Sequence, residues 1–586
     1  MKWTQVVDPL HSMPASVALA LLPMLFVFWA LAFRRWKVYA AVGCALLIAV
    51  VIAGMVYRMP VSLLGLSLLN GALYGLFPIC WIVVAAVFLF NLTVVSGQFD
   101  IIKSFMASVT DDRRMQALLI AFSFGAFLEG TAGFGAPVAI TAAMLTGLGF
   151  EPLYAAGICL IANTAPVAFG SIGIPITVAA QVTGLPETAI SQMVGRTLPF
   201  LSALLPFYLV TLMAGFRKAK EVMPAIFVSG GSFALIQWGT SNFMGPWLPD
   251  ILAGVGSIVC LLVYLRFQKP VKAWRFPSEV VAEQTEKKIL PKNQIVFAMS
   301  PFILLTVMVI GWGLPSVKEW LNNAGQWNFA FPGLHESIIS PTGQPIAHIF
   351  KFNYLSAAGT AIFITALLTA WMGRLTIRQS IKVARETLVQ LRLPVITIAT
   401  VLAFAYVVND SGITATIAKV LAGTGILFPL FAPVLGWLGV FVTGSDTSAN
   451  ALFGKLQAGT ATSLGIDPVI TVSANVSGGV VGKMISPQSI AVAAAAGKLP
   501  EGEGRLFRFT LKHSLLMLAV ICLLVVLQAS LLRSWVPVYQ AETPAHAIAA
   551  TTTSSNGAVY LLLLTVLVIM FITSVRRFCA SPKKRI

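Results

Sequence analysis

Between residues 124 and 181 the chain is apolar enough to lie in a bilayer, yet it carries a carboxylate (Glu129), an asparagine (Asn163) and glycines and prolines spaced to interrupt a helix. At membrane depth no water satisfies a broken backbone, so such a stretch is tolerated only where it is buried in protein or lines a cavity. The fold must therefore be a bundle thick enough to enclose the breaks. The stretch itself becomes the first place to look for a solute.

A second copy lies at 440–493 with its parts in the same order. Gly-Phe-Glu-Pro (Gly149 to Pro152) is answered by Gly-Ile-Asp-Pro (Gly465 to Pro468). Asn163, Gly170 and Pro175 are spaced like Asn475, Gly482 and Pro487, with separations of 7 and 12 residues from the asparagine in each copy. The step from the first proline to the asparagine differs, 11 residues in one copy and 7 in the other. Interrupted apolar segments at corresponding places in two halves point to a transporter's binding site. Against that stands the general abundance of Gly and Pro in membrane helices.

Composition agrees. With 58% hydrophobic and 10% charged residues over 586 positions, the chain reads as a polytopic membrane protein. Its net charge of +18 comes from Lys and Arg clustered between apolar runs, which fits membrane topology and gives no reason to invoke nucleic acid. The six cysteines form no CxxC and no Cys/His cluster, so they read as buried thiols, with no metal site and no cofactor site. No GxxxxGK[ST] loop and no GxSxG elbow is present, which argues against a nucleotide-driven pump and against an enzyme.

Apolar runs of spanning length fall near 15–33, 38–57, 72–97, 191–214, 222–242, 246–266, 294–313, 354–373, 392–410, 513–532 and 558–575. All basic clusters lie on one side if 116–148 and 426–464 are re-entrant hairpins and 152–182 and 468–497 cross once as broken helices. The expected fold is therefore all-α, with about 13 crossings (about 12 to 14) and two inverted repeats, each with a hairpin and a broken helix. The N-terminus lies outside and the C-terminus in the cytoplasm. The parts are N-terminal helices over 1–60, a first repeat half over 61–267 and a cytoplasmic linker over 268–293. A helix and external loop follow over 294–352, the second half over 353–532, and an external loop with a last helix over 533–586.

Ionisable groups at membrane depth are expensive, so each is a candidate for function. Glu129 precedes a glycine-rich tip beginning Gly130-Thr131, and Asp446 sits in the matching tip Gly444-Ser445-Asp446-Thr447. Desolvation favours the neutral form of a carboxyl, which makes both acids candidates to carry a proton. Each can equally be a structural partner of Lys or Arg. Lys483, between Gly482 and Pro487, is the cation best placed for a carboxylate substrate; its plainer role is an ion pair with Asp446. Asn163, Thr164, Asn475, Ser473 and Ser477 bring amides and hydroxyls to the matched breaks, where they can bind solute or satisfy freed backbone groups. Gln488 lies on the far arm of the second broken helix.

With these motifs on the page, the chain resembles the bacterial lactate permease family. The resemblance is carried by FLEGTAGFGAPVAI (Phe127 to Ile140), IANTAPVAFGSIGIP (Ile161 to Pro175), GSDTSANALFGKLQ (Gly444 to Gln457) and SANVSGGVVGKMISPQSIAVA (Ser473 to Ala493). It implies uptake of L-lactate, with D-lactate and glycolate as relatives, by proton symport through the bacterial inner membrane. The partners implied are these 2-hydroxy monocarboxylates, protons and the lipid bilayer. The wider architecture is similar to carriers of citrate and dicarboxylates, so the alternative is a sodium-coupled di- or tricarboxylate transporter. Ala162 stands where the sodium-coupled carriers have the serine of a Ser-Asn-Thr signature, a departure that weakens a sodium site.

Overall fold

The computed structural model describes residues 2–34, 36–133, 135–268, 273–276, 291–341, 343–499 and 503–539. The helix expected at 558–575 and most of the 268–293 linker lie outside the described residues. Among those described, ten helices are long and apolar enough to cross a membrane, or eleven if a pair bent by 62°, Pro152–Ala162 and Val167–Thr183, counts as one. The chain is a multi-pass membrane protein.

Two expected spans lengthen, and the run expected at 354–373 shortens to Ala358–Met372, which is not among the ten. The run expected at 72–97 begins earlier, as Val61–Tyr74, and continues through a kink at Phe77 before Pro78 into Trp81–Val95. Ser67, Asn70 and the glycines dilute its apolar signal, but they fit its packing. A Cβ on Gly71 would lie 2.8 Å from the Ala403 Cα and one on Gly75 2.7 Å from the Ala399 Cα, so only glycine admits the helix Ile377–Asp410 this closely. That second helix is longer than the expected 392–410. Thr376 and Gln379 close a capping box at its start, and its 34 residues make a rod of about 51 Å. Its first, charged half therefore extends past the hydrocarbon. The polar stretch 314–352 is also more ordered than its composition suggests. It holds the amphipathic helix Pro315–Gly325, and Trp327–Ala330 pairs antiparallel with Ile349–Phe352.

The two interrupted stretches sit at the centre. Arg113–Gln116, Ala117–Phe124 and Gly125–Thr131 run on as one arm of a helical hairpin, and Ala136–Gly147 is the other. Gly133 and Gly135, both with positive φ, make the turn. The second hairpin is Phe428–Thr443 and Asp446–Ser463, turning at Gly444 with φ 73°. The segment Pro468–Ala496 is the most enclosed span, 94% buried over its apolar stretch against 33–61% for the other nine. Glycine again sets the distance, because a Cβ on Gly478 would sit 2.6 Å from the Pro433 Cα of the hairpin arm.

The breaks differ from the matched pair that the sequence suggests. Pro152–Ala162 ends at Asn163 as expected, but Asn475 to Gly478 lies inside an unbroken helix, Pro468–Lys483. The second break falls at 484–486, ahead of Pro487, which opens the helix Pro487–Ala496. Glycines 478 and 479 are tolerated in a packed helix, whereas the residue before a proline is forced out of the helical region.

Candidate substrate-binding site

The hairpin tips and both breaks converge on one cavity of about 80 Å³. At about 10–15 Å³ per water, it holds a solute of a few heavy atoms. Its polar wall is made of Glu129, Asp446, Lys483, Ser445, Thr447, Gln488, Ser171 and Ser489, and its apolar wall of Val167, Ile174, Pro175 and Val492.

Lys483 is the last residue of its helix, where the negative end of the helix dipole favours a cation. Its Nζ donates to Glu129 Oε1 at 2.6 Å, and both side chains are largely buried. The sequence offers Asp446 as the ion-pair partner; the pair forms with Glu129, between the first hairpin and the second broken helix. Asp446 is the first residue of its hairpin arm, behind the cap Ser445, whose hydroxyl accepts from the Ser448 N–H at 3.2 Å. Both its carboxyl oxygens are buried and accept no hydrogen bond, as is Glu129 Oε2. Gly479 leaves the room that this carboxyl fills.

The other half of the cavity comes from the first broken helix. Ser171, Ile172 and Gly173 take φ of 48°, 60° and 73°, three left-handed residues in a row. A β-branched residue there is a steric outlier, and each non-glycine position costs about 1–2 kcal/mol. That turn brings Ser171 to the cavity wall, where its hydroxyl donates to Ala132 O of the first tip at 3.3 Å. The sequence flagged the region but not Ser171, because nothing in its composition signals a left-handed isoleucine.

Several residues picked out by the sequence lie off the cavity wall. Gly130 is still helical and faces the Asp250 helix, and the Thr131 hydroxyl donates back to Phe127 O at 3.0 Å. Thr164 likewise donates to Ile161 O at 2.7 Å, while Asn163 closes its helix, buried. Asn475 belongs to an amide chain. Its Nδ2 donates to Asn450 Oδ1 at 2.8 Å, Asn450 donates to Pro175 O at 3.2 Å, and Gln457 donates to both Asn475 Oδ1 and Ala432 O. Ser473 and Ser477 are buried with unpartnered hydroxyls.

The profile of the L-lactate permease family matches residues 16–532. The L-lactate permease of Bacillus subtilis is 53% identical over 554 residues, 90% of this chain and 98% of that protein. The glycolate permease GlcA of Escherichia coli is 50% identical over 550 residues, again 90% and 98%. The L-lactate permease of E. coli is 46% identical over 549 residues, covering 91% of this chain and 100% of its own. The chain belongs to the L-lactate permease family. It is a transporter and not an enzyme.

Two buried polar groups in this permease escaped the sequence reading. Asp250, at the start of the helix Pro249–Phe267, is 1% exposed, and neither carboxyl oxygen accepts a hydrogen bond. Far from the cavity in the chain, Asp410 accepts from the Ser67 hydroxyl at 2.7 Å and pairs with His348 Nε2 at 3.1 Å, tying the 314–352 stretch to the bundle. Burial opposes a charge on His348, but the hydrogen bond and charge of Asp410 prevail and raise its pKa.

Proposed function

We propose that the protein takes up L-lactate, with D-lactate and glycolate as related substrates, by proton symport across the bacterial inner membrane. The observation that carries this reading is the Lys483–Glu129 pair on the wall of a small cavity. A monocarboxylate entering the cavity finds its cation already occupied. Two carboxylates on one buried lysine leave a negative charge uncompensated, and an unpaired charge created by breaking a buried pair costs about 3–5 kcal/mol. A proton on Glu129 removes that cost. Anion binding and proton binding therefore favour each other, and departure of the anion lets Glu129 pair with Lys483 again and release its proton.

The remaining walls suit a 2-hydroxy acid. Ser445, Thr447 and Gln488 offer hydrogen bonds to the hydroxyl, and Val167, Ile174 and Val492 give an apolar surface for a methyl. A single cation on the cavity wall suits a monocarboxylate better than a tricarboxylate. In this reading the halves are inverted repeats with re-entrant hairpins, about 13 crossings in all, the N-terminus outside and the C-terminus in the cytoplasm.

The test is uptake of labelled L-lactate into proteoliposomes, with pH, sodium and electrical gradients imposed one at a time. An inward proton gradient alone is expected to drive accumulation. Uptake that requires sodium, or no uptake of any 2-hydroxy monocarboxylate, overturns the proposal.

A further inference from the structure

Three acids surround one lysine. Lys483 holds Glu129 at 2.6 Å and acts electrostatically on both Asp446 and Asp250. Asp250 in turn acts on Glu129. Among the described residues, Glu129 and Lys483 are the charges that act on it. The helices packed most extensively on its own are Gly125–Thr131, Met223–Phe243 and Ala117–Phe124, and among them only Glu129 is charged. Its neighbour Gln237 donates one N–H to Ala165 O at 3.0 Å and also acts on Asp250. One ammonium balances one carboxylate, so three ionised acids would leave two uncompensated charges at membrane depth, each costing several kcal/mol. Neither Asp250 oxygen has a hydrogen bond of ordinary geometry, and besides Lys483 only the Gln237 amide favours its charge, against burial and the charge of Glu129.

Its position is built and not incidental. The residue after Glu129 is Gly130, and a Cβ there would fall 2.8 Å from the Asp250 Cβ and 3.0 Å from the Ile251 N. A glycine next to the site acid thus admits the start of the Asp250 helix directly behind it. Asp250 lies off the cavity wall, so its charge acts on Glu129 without meeting the solute.

We propose that Asp250 is a second proton-holding acid of the coupling site, sharing with Glu129 the proton that accompanies the substrate. This rests on the symport reading above. When a substrate carboxylate takes Lys483, Glu129 is left beside Asp250, and two adjacent carboxyls in one desolvated site retain a proton between them. The proton comes from the side on which the substrate enters and leaves on the side where Glu129 pairs again. Asp250 is a positioning residue for that proton, with no substrate contact.

The experiment compares wild type, Asp250→Asn and Asp250→Glu in proteoliposomes, recording proton-driven accumulation against pH and lactate exchange at equal pH. Asp250→Asn is expected to keep exchange within about threefold, while the alkaline limit of accumulation moves acidward by about one pH unit. Asp250→Glu is expected to restore most of the wild-type profile. An unchanged pH profile, or equal loss of exchange and accumulation, overturns the proposal. For the case in which Asp250→Asn does not fold, infrared difference spectra on adding lactate are taken from Asp446→Asn protein labelled only at aspartate carboxyls. A protonated-carboxyl band that responds to lactate supports Asp250, and no such band rejects it. Failure of wild type to accumulate lactate would reject the symport reading itself, a separate result.

Discussion

The two interrupted stretches reach the same cavity by different physics. The first is bent by 62° and holds three consecutive left-handed residues, with its polar groups turned onto backbone oxygens. The second breaks once, before a proline, and delivers its lysine at the end of a regular helix. Each hairpin adds one carboxyl, but Glu129 is paired and Asp446 is not. Similar sequence order therefore conceals a division of labour: the first stretch and its hairpin bring shape and the paired acid, the second stretch and its hairpin the cation and the other acid.

The sharpest way to break that division is to remove the cation. Lys483→Gln is expected to abolish both exchange and accumulation, a loss of about 100-fold or more, since truncating one partner of a buried charge pair costs about 2–5 kcal/mol. Glu129→Gln, which removes the acid that takes the proton when substrate occupies Lys483, is expected to keep exchange and lose accumulation against a gradient. Counterflow and gradient-driven uptake measured side by side separate the two. Equal behaviour of both variants would mean the acids and the lysine act as one unit.

A smaller effect tests shape. Alanine at Gly173 combines positive φ with a Cβ 2.7 Å from the Pro246 carbonyl carbon, whereas at Gly184, also with positive φ, nothing lies within 4 Å. Thermal unfolding in detergent is expected to show about 1 kcal/mol lost at Gly184 and about 3 kcal/mol at Gly173, where overpacking adds to the backbone term. Equal losses would remove the case for a built left-handed turn.

Much of this was legible because charge stands out in an apolar chain. Glu129, Asp446 and Lys483 were visible at once, and they do line one cavity. The second break was misplaced because a repeat shows order but not which glycines are packed: Gly478 lies against Pro433, and the helix simply continues. Asp250 was missed because an acid one residue after a proline at a helix start reads as an interfacial cap. Asp410 and His348 lie 62 residues apart and only the fold brings them together.

The smallest expected effect concerns that last pair. A raised His348 pKa means its contribution is fully present below the ordinary histidine value of about 6.5 and is lost as pH rises through the folded value. His348→Gln is thus expected to speed hydrogen exchange across 326–352 by up to about tenfold at acidic pH, and to change nothing in alkali. An equal effect at both ends would assign His348 a role without charge.

The amide chain from Ala432 through Gln457, Asn475 and Asn450 to Pro175 has a mechanical meaning. It rivets the second hairpin to both broken helices and ends at Pro175 on the cavity wall. Opening that seam would strand buried amides at about 1–3 kcal/mol apiece. Elements joined in this way are expected to travel together in whatever motion empties the cavity.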